Sequence, residues 1–78
     1  MKELLEYIVK NIVAEPDKAE VFESVKENEI VYTIKIADDD FGKIIGRSGK
    51  VATAIRTVVR TAAKKLNKRV FVKFEKQS

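Results

Sequence analysis

The sequence predicts an α+β domain in which a three-stranded sheet packs against helices. Three observations predict it: an N-terminal segment with helical apolar spacing, a central segment in which apolar and polar residues alternate, and a longer helical segment followed by a last β-rich stretch. In chain order the predicted elements are α-β-β-α-α-β. A chain of 78 residues fits one small domain, and we expect that domain to span residues 1–78.

The first predicted helix covers residues 2–14. Its apolar residues recur four apart in two parallel rows, which together form one broad apolar face directed at the core. Pro16 ends the helix, because the residue before a proline avoids the α-helical region. The two rows are Leu4, Ile8 and Ile12, and Leu5, Val9 and Val13.

Two strands are predicted next, at residues 21–27 and 30–36, and they form a hairpin. Asn28 lies in the short link between them and suits a turn. The second strand alternates strictly, which is typical of a strand with one buried face. Its core side consists of Ile30, Tyr32, Ile34 and Ile36.

Three consecutive aspartates, Asp38, Asp39 and Asp40, follow the hairpin. They favour capping of a short helix at residues 41–45, because Asp is preferred at a helix N-cap and acids stabilise the positive end of the helix dipole. A metal site is the weaker alternative, since adjacent aspartates lack the alternating ligand spacing of a calcium loop. We therefore predict no metal ion and no cofactor.

A second, longer helix is predicted at residues 50–67, and a final strand at residues 69–74. Arg56, Arg60 and Lys64 recur four apart on the side of this helix opposite its apolar stripe. The stripe consists of Val51, Ile55, Val58, Val59, Ala62 and Leu66, and the strand places Val70, Val72 and Phe74 on one face.

The charge is distributed unevenly along the chain. Residues 1–40 contain five lysines and eleven acids, a net charge of −6, whereas residues 41–74 contain ten basic residues and no acid, a net charge of +10. Such asymmetry favours a half of the domain that binds a polyanion. The alternative is a basic face that only contacts solvent.

The residue types that are missing exclude several classes of function. The chain has no cysteine and no histidine, which excludes disulfides, thiolate nucleophiles, Ser-His-Asp triads and the usual zinc sites. Its longest stretch without a charge is five residues, whereas a membrane-spanning helix needs about 20 apolar residues. We therefore expect a cytoplasmic protein that is not an enzyme.

Two glycines, separated by two residues, lie between the short helix and the long one. The loss of two side chains lets a phosphate backbone approach the main chain, and the first turn of the long helix offers free N–H groups and the positive end of a dipole. Lys43 and Lys50 add positive charge nearby. The alternative is a plain helix end, where glycine is common. This segment consists of Gly46, Arg47, Ser48 and Gly49.

The order helix, hairpin, helix, GXXG, helix, strand resembles the K-homology (KH) domain in its bacterial type II form, and the resemblance covers the whole chain. The run GRSGKVATAIRTVVRTAA at residues 46–63 is more specifically similar to the small bacterial single-domain KH proteins of the KhpA type. Pro16 and Asp17 also match a proline-aspartate pair ahead of the first strand in that family. Glu15 departs from it, since many relatives have histidine there.

The resemblance implies binding of single-stranded RNA, in which residues 46–49 clamp the backbone of about four nucleotides. It places Ile45 and Ile36 as candidate residues of an apolar groove for the bases, with plain core as the alternative for both. It also implies a homodimer or a complex with a larger KhpB (Jag-like) protein. The role implied for that pair is RNA chaperoning or post-transcriptional control in cell elongation and cell-wall homeostasis.

Two further expectations concern partners. Protein docking is the main alternative to RNA binding, and one possible contact surface is the outer side of the long helix around Ala52, Thr57 and Ala63. The chain has six aromatic residues, none of them between residues 42 and 69. We therefore expect apolar and hydrogen-bonding contacts to the bases rather than aromatic stacking.

Overall fold

The computed structural model describes residues 2–46 and 50–77. Its elements follow the predicted order α-β-β-α-α-β, with one short 3₁₀ turn added before the first strand. The α+β fold class is therefore confirmed. The elements are α1 (Lys2–Ile12), the 3₁₀ turn (Pro16–Lys18), β1 (Glu20–Val25), β2 (Glu29–Ile36), α2 (Asp38–Gly46), α3 (Lys50–Leu66) and β3 (Arg69–Lys76).

The three strands form one sheet in the order β1-β2-β3. β1 and β2 are antiparallel, which confirms the predicted hairpin, and β2 and β3 are parallel. The peptide N–H of Arg69 donates to the carbonyl of Asn28 at 3.1 Å, so the hairpin link also contacts the start of β3. A parallel pair needs a crossover connection, and here α2 and α3 provide it.

The helices cover one face of this sheet, and the core lies between the two layers. The alternation predicted for β2 is confirmed, because its even-numbered residues are buried and its odd-numbered residues are half-buried. Helix residues pack onto this face in a single apolar cluster. The most deeply buried side chains are Tyr32, Leu5, Ile34, Ile36, Ile55, Val9 and Val59. The other face of the sheet, here called the open face, carries Phe22 of β1, Val31 of β2 and Phe71 of β3.

The apolar face of α1 is narrower than its sequence pattern indicates. Leu5, Val9 and Val13 are buried as expected, whereas Leu4 and Ile12 remain 47% and 43% exposed. The cause is the small area of β1, in which Val21 is the one buried residue. A helix over so narrow a sheet buries one row of side chains and leaves the second row at the edge.

The long helix α3 is rotated relative to the stripe that the sequence predicts. Its buried residues are Ala52, Ile55, Val59 and Ala63, whereas Val58 is 40% exposed. Leu66, which also belonged to the predicted stripe, is half exposed. The two alanines let the helix approach a sheet whose own side chains are bulky. Ala52 and Ala63 are thus core residues, and the expectation that they belong to an outer contact surface is wrong.

Asp40 joins the end of α1 to the start of α2. Its carboxylate accepts hydrogen bonds from the backbone N–H groups of Ala14 at 2.9 Å and Glu15 at 3.1 Å, and the residue is 3% exposed. The predicted short helix at residues 41–45 is in fact longer, since α2 begins at Asp38 and the acids form its first turn. Asp40 therefore binds the backbone N–H groups of the segment that follows α1. It also lies in the first turn of α2, at the positive end of that helix dipole.

Candidate nucleic-acid interface

The junction between α2 and α3 is where the sequence places the phosphate-binding loop. α2 ends at Gly46 and α3 begins at Lys50. The three residues between them, Arg47, Ser48 and Gly49, lie outside the described residues, so their assigned role stays a prediction. The described neighbours define the surroundings of the loop.

Three of these neighbours reach the surface on both sides of the junction. Lys43 in the last turn of α2 and Lys50 at the first position of α3 are exposed, and Ile45 is 40% exposed. The first turn of α3 contains no acid. An anion at the junction would therefore meet two ammonium groups, the positive end of a 17-residue helix and one apolar side chain.

Ile36, the other candidate groove residue, is fully buried at the end of β2. Its side chain belongs to the core cluster and does not reach the surface. Ile36 is therefore a core residue, which was the alternative interpretation, and it packs with the other members of the apolar cluster. Of the two groove candidates, Ile45 alone is accessible.

A cleft runs between α3 and the outer strand β3, and we call it the α3–β3 cleft. It consists of two adjoining depressions of about 1150 Å³ and 520 Å³. Arg60, Phe71, Val70 and Glu29 line both of them. The larger depression is completed by Asn28, Ala63, Lys64, Asn67, Lys68 and Arg69, and the smaller one by Val31, Arg56, Val59, Val72 and Lys73.

The α3–β3 cleft is strongly basic. Among the described residues that line it, Glu29 is the one acid, and it lies opposite Arg69 in the register of β2 and β3. The ion pairs found in residues 2–46 and 50–77 join Lys2 to Glu6 and Lys18 to Glu15, away from the cleft. Its cationic side chains are Arg56, Arg60, Lys64, Lys68, Arg69 and Lys73. These charges are therefore available to an incoming anion.

One aromatic contact positions a cleft residue. The guanidinium carbon of Arg56 lies 5.6 Å from the ring centroid of Phe74, within the range of a cation–π interaction. Arg56 stays exposed. The contact therefore holds a positive charge against the cleft wall at the level of Phe74, between the α2–α3 junction and Arg60.

The sequence indicated part of this cleft. The spacing of Arg56, Arg60 and Lys64 placed three cations on one side of the long helix, and the structure brings that side to the edge of β3. The sequence pattern did not place Phe71 or Lys73 in this cleft. Their signal was present in β3, where they occupy the positions that alternate with Val70 and Val72.

Comparisons with known proteins identify the family of the chain. The profile of the family described as KhpA/KhpB, KH domain, matches residues 2–74. The chain is 50% identical over 72 residues to the RNA-binding protein KhpA of Clostridium acetobutylicum, an alignment that covers 92% of this chain and 96% of the relative. It is 47% identical over 72 residues to that of Clostridium perfringens, with the same two coverages.

A more distant relative aligns over nearly the same length of chain. The RNA-binding protein KhpA of Chlamydia trachomatis serovar D is 43% identical over 70 residues, which is 90% of each chain. No solved structure matches the chain significantly. The family profile and these relatives cover nearly the whole fold, including both helices that border the junction, and the chain therefore belongs to the KhpA/KhpB family of KH domains.

Proposed function

We propose that this protein binds single-stranded RNA, with the α2–α3 junction holding the backbone and the α3–β3 cleft receiving the strand beyond it. One observation carries the proposal: basic side chains without ion-pair partners in the described part of the chain continue from Lys43 and Lys50 along α3 to β3. The relatives named RNA-binding protein KhpA support the choice of RNA as the polyanion. We expect no catalytic activity.

In this mechanism the loop formed by Gly46, Arg47, Ser48 and Gly49 contacts about four nucleotides through their phosphates. Glycine at both ends removes the side chains that would keep the strand away, and Arg47 adds a cation. The free N–H groups of the first turn of α3 donate to phosphate oxygens. Lys43 and Lys50 pair with further phosphates, and Ile45 packs against a base.

The direct test is a titration of fluorescently labelled single-stranded RNA at several salt concentrations. Each phosphate neutralised on a single strand adds about −0.7 to the slope of log affinity against log salt concentration. Two or three contacts at the loop would thus give a slope of roughly −1.4 to −2.1, and the cleft would steepen it. Single-stranded DNA of the same sequence measures the contribution of the 2′-hydroxyls. No binding at low salt, or an affinity that does not change with salt concentration, contradicts the proposal.

We further propose that residues 1–78 act as one domain in the cytoplasm and that this domain works in pairs. The partner is a second copy or a larger KhpB (Jag-like) protein, as the family resemblance implies, and the role is that of an RNA chaperone in cell elongation and cell-wall homeostasis. One loop holds about four nucleotides, and a linked second loop raises the overall affinity by avidity. Sedimentation at micromolar concentration, alone and with the partner, tests this; a monomer under both conditions contradicts it.

Protein docking remains a second candidate function because of one observation on α1. Leu4, Tyr7 and Ile12 lie on one side of this helix and are 47%, 69% and 43% exposed. Such an apolar side is typical of helices that contact another protein. If RNA fails to bind, this surface becomes the first one to mutate.

No helix in residues 2–46 and 50–77 has the length and apolar character that crossing a membrane requires.

A further inference from the structure

We propose that the ring of Phe71 is a stacking surface for an RNA base in the α3–β3 cleft. The proposal rests on the RNA binding proposed above and extends it from the phosphate backbone to the bases. It also replaces the expectation, drawn from the sequence, that aromatic stacking plays no part. The stretch without aromatic residues ends at β3, and β3 returns alongside α3.

The position of Phe71 is the first argument. The residue lies on β3, and its side chain is 48% exposed. It lines both depressions of the cleft, as Arg60 does. Arg60 is ten residues from Lys50, which corresponds to roughly 15 Å along the helix. A strand that leaves the junction along α3 therefore reaches Phe71 within a few nucleotides.

The chemistry around the ring is the second argument. An aromatic face binds any base by stacking, and it does so best where cations hold the adjacent phosphates. Phe71 has Arg69 and Lys73 two positions away on the same face of β3, and Arg60 of α3 lines the same two depressions. Val31 lies directly opposite on β2 and supplies an apolar floor beside the ring. The combination of one ring and several phosphate-binding cations is typical of single-strand binding surfaces.

A second phenylalanine on the open face provides a matched control. Phe22 is 46% exposed, nearly the same as Phe71, but it lies on β1 at the opposite edge of the sheet. Its ring already contacts Lys35, whose Nζ lies 5.4 Å from the ring centroid. It lines neither depression of the cleft. Loss of the ring at Phe22 should therefore change the surface of the sheet without changing RNA binding.

The experiment compares three substitutions of phenylalanines and one of an arginine in the titration with single-stranded RNA. Phe71→Leu keeps an apolar side chain but removes the ring, and we expect it to weaken binding about tenfold. Phe71→Tyr keeps the ring and should bind within about twofold of the original protein. Phe22→Leu should bind as the original protein does. The salt slope should stay unchanged in all three, because no charge is removed, whereas Arg60→Ala should reduce it by about 0.7.

A spectroscopic variant reports on stacking directly. The chain contains no tryptophan, so Phe71→Trp creates a single tryptophan whose emission is separable from that of the tyrosines, and Phe22→Trp creates its control. Stacking on a base should quench the emission of the first on addition of RNA and leave that of the second unchanged. Melting curves of all variants verify that they fold.

The possible outcomes separate the two proposals. If the original protein binds no RNA, both the proposed function and the stacking role are overturned. If it binds RNA but Phe71→Leu binds equally well, or if Phe22→Leu is weakened as much, the stacking role alone is overturned. Loss of self-association in Phe71→Leu with unchanged RNA affinity would assign Phe71 to a protein interface instead, and this too overturns the stacking role.

Discussion

The hydroxyl of Tyr32 donates a 2.7 Å hydrogen bond to the carboxylate of Glu23, its partner across β1 and β2. The tyrosine is 1% exposed, and Glu23 is at the surface. Burial, followed by the hydrogen bond to Glu23 and the negative charge of that residue, raises the pKa of Tyr32 to about 12. A phenol in the core is thereby held in its neutral form by the edge strand of the sheet.

The first prediction follows from the sign of this shift. The pKa of Tyr32 is higher in the folded protein, about 12, than the ordinary tyrosine value of 10.0. Its contribution to stability is therefore complete below about pH 10 and is lost as the pH rises towards 12. Each pKa unit corresponds to about 1.4 kcal/mol, so the loss should reach roughly 2–3 kcal/mol.

Urea unfolding between pH 9 and pH 12 measures this loss in the original protein and in Tyr32→Phe. In Tyr32→Phe the free energy of unfolding should fall less over this pH range, because the part of the fall that Tyr32 causes is absent. Tyr7→Phe is the control, because the side chain of Tyr7 is 69% exposed and its hydroxyl occupies no place in the core. Parallel curves for the original protein and Tyr32→Phe would contradict the prediction.

The second prediction concerns the loop between α2 and α3. The double substitution Arg47→Asp and Ser48→Asp removes one positive charge and adds two negative ones where a phosphate must approach, so RNA binding should be abolished. The melting temperature should change little, because Asp is favoured near the start of a helix and complements its dipole.

The control for the loop must lie away from the cleft, so Lys73, which lines it, is unsuitable. Lys10 is exposed on α1, and Lys10→Asp changes the net charge without touching the proposed interface. We expect this control to weaken RNA binding only slightly. Normal melting together with undiminished RNA binding in the double variant would show that the loop is not the clamp and would favour protein docking.

The third prediction concerns Asp40. Its two carboxylate oxygens accept from Ala14 and Glu15, and Asp40→Ala leaves both N–H groups without that acceptor. Hydrogen bonds to charged groups contribute about 1.5–3 kcal/mol each, and partial solvation of the two amides reduces the net cost. We expect a loss of roughly 2–3 kcal/mol of stability.

Thermal unfolding measures this loss, and Asp39→Ala is the matched control because Asp39 is exposed and belongs to the same turn. The control should change stability by no more than about 0.5 kcal/mol. Asp40→Asn should lie between the two, since an amide offers one acceptor oxygen in place of two. Equal stability of Asp40→Ala and Asp39→Ala would show that the end of α1 is not held by this carboxylate.

The strands were more predictable from the sequence than the helices, for a physical reason. In β2 the side-chain period is two, so Ile30, Tyr32, Ile34 and Ile36 could only share one face. In α3 the large apolar residues cover a wide arc, and the sequence alone does not show which part of that arc faces the sheet. The face of α3 that packs on the sheet is the one that contains Ala52 and Ala63. The small size of these residues matters only once the shape of the opposing surface is known.

The residues of the candidate site were also only partly predictable from the sequence. Lys43, Ile45 and Lys50 could be placed beside the loop from the sequence, because they are its near neighbours in the chain. Phe71 could not, because its place in the cleft depends on the parallel pairing of β3 with β2 and on the packing of α3 beside it. Contacts between residues distant in sequence were thus the part that the sequence left open.

The last prediction tests the rotation of α3 with two adjacent valines. Val59 is 1% exposed and belongs to the core cluster, whereas Val58 is 40% exposed. Val59→Ala should cost about 2 kcal/mol of stability, because it removes buried methyl groups and leaves a cavity. Val58→Ala should cost well under about 1 kcal/mol, and the two variants have the same composition and the same change in helix propensity. Chemical denaturation of both measures the difference, and equal losses would mean that α3 presents the broad stripe predicted from the sequence to the sheet.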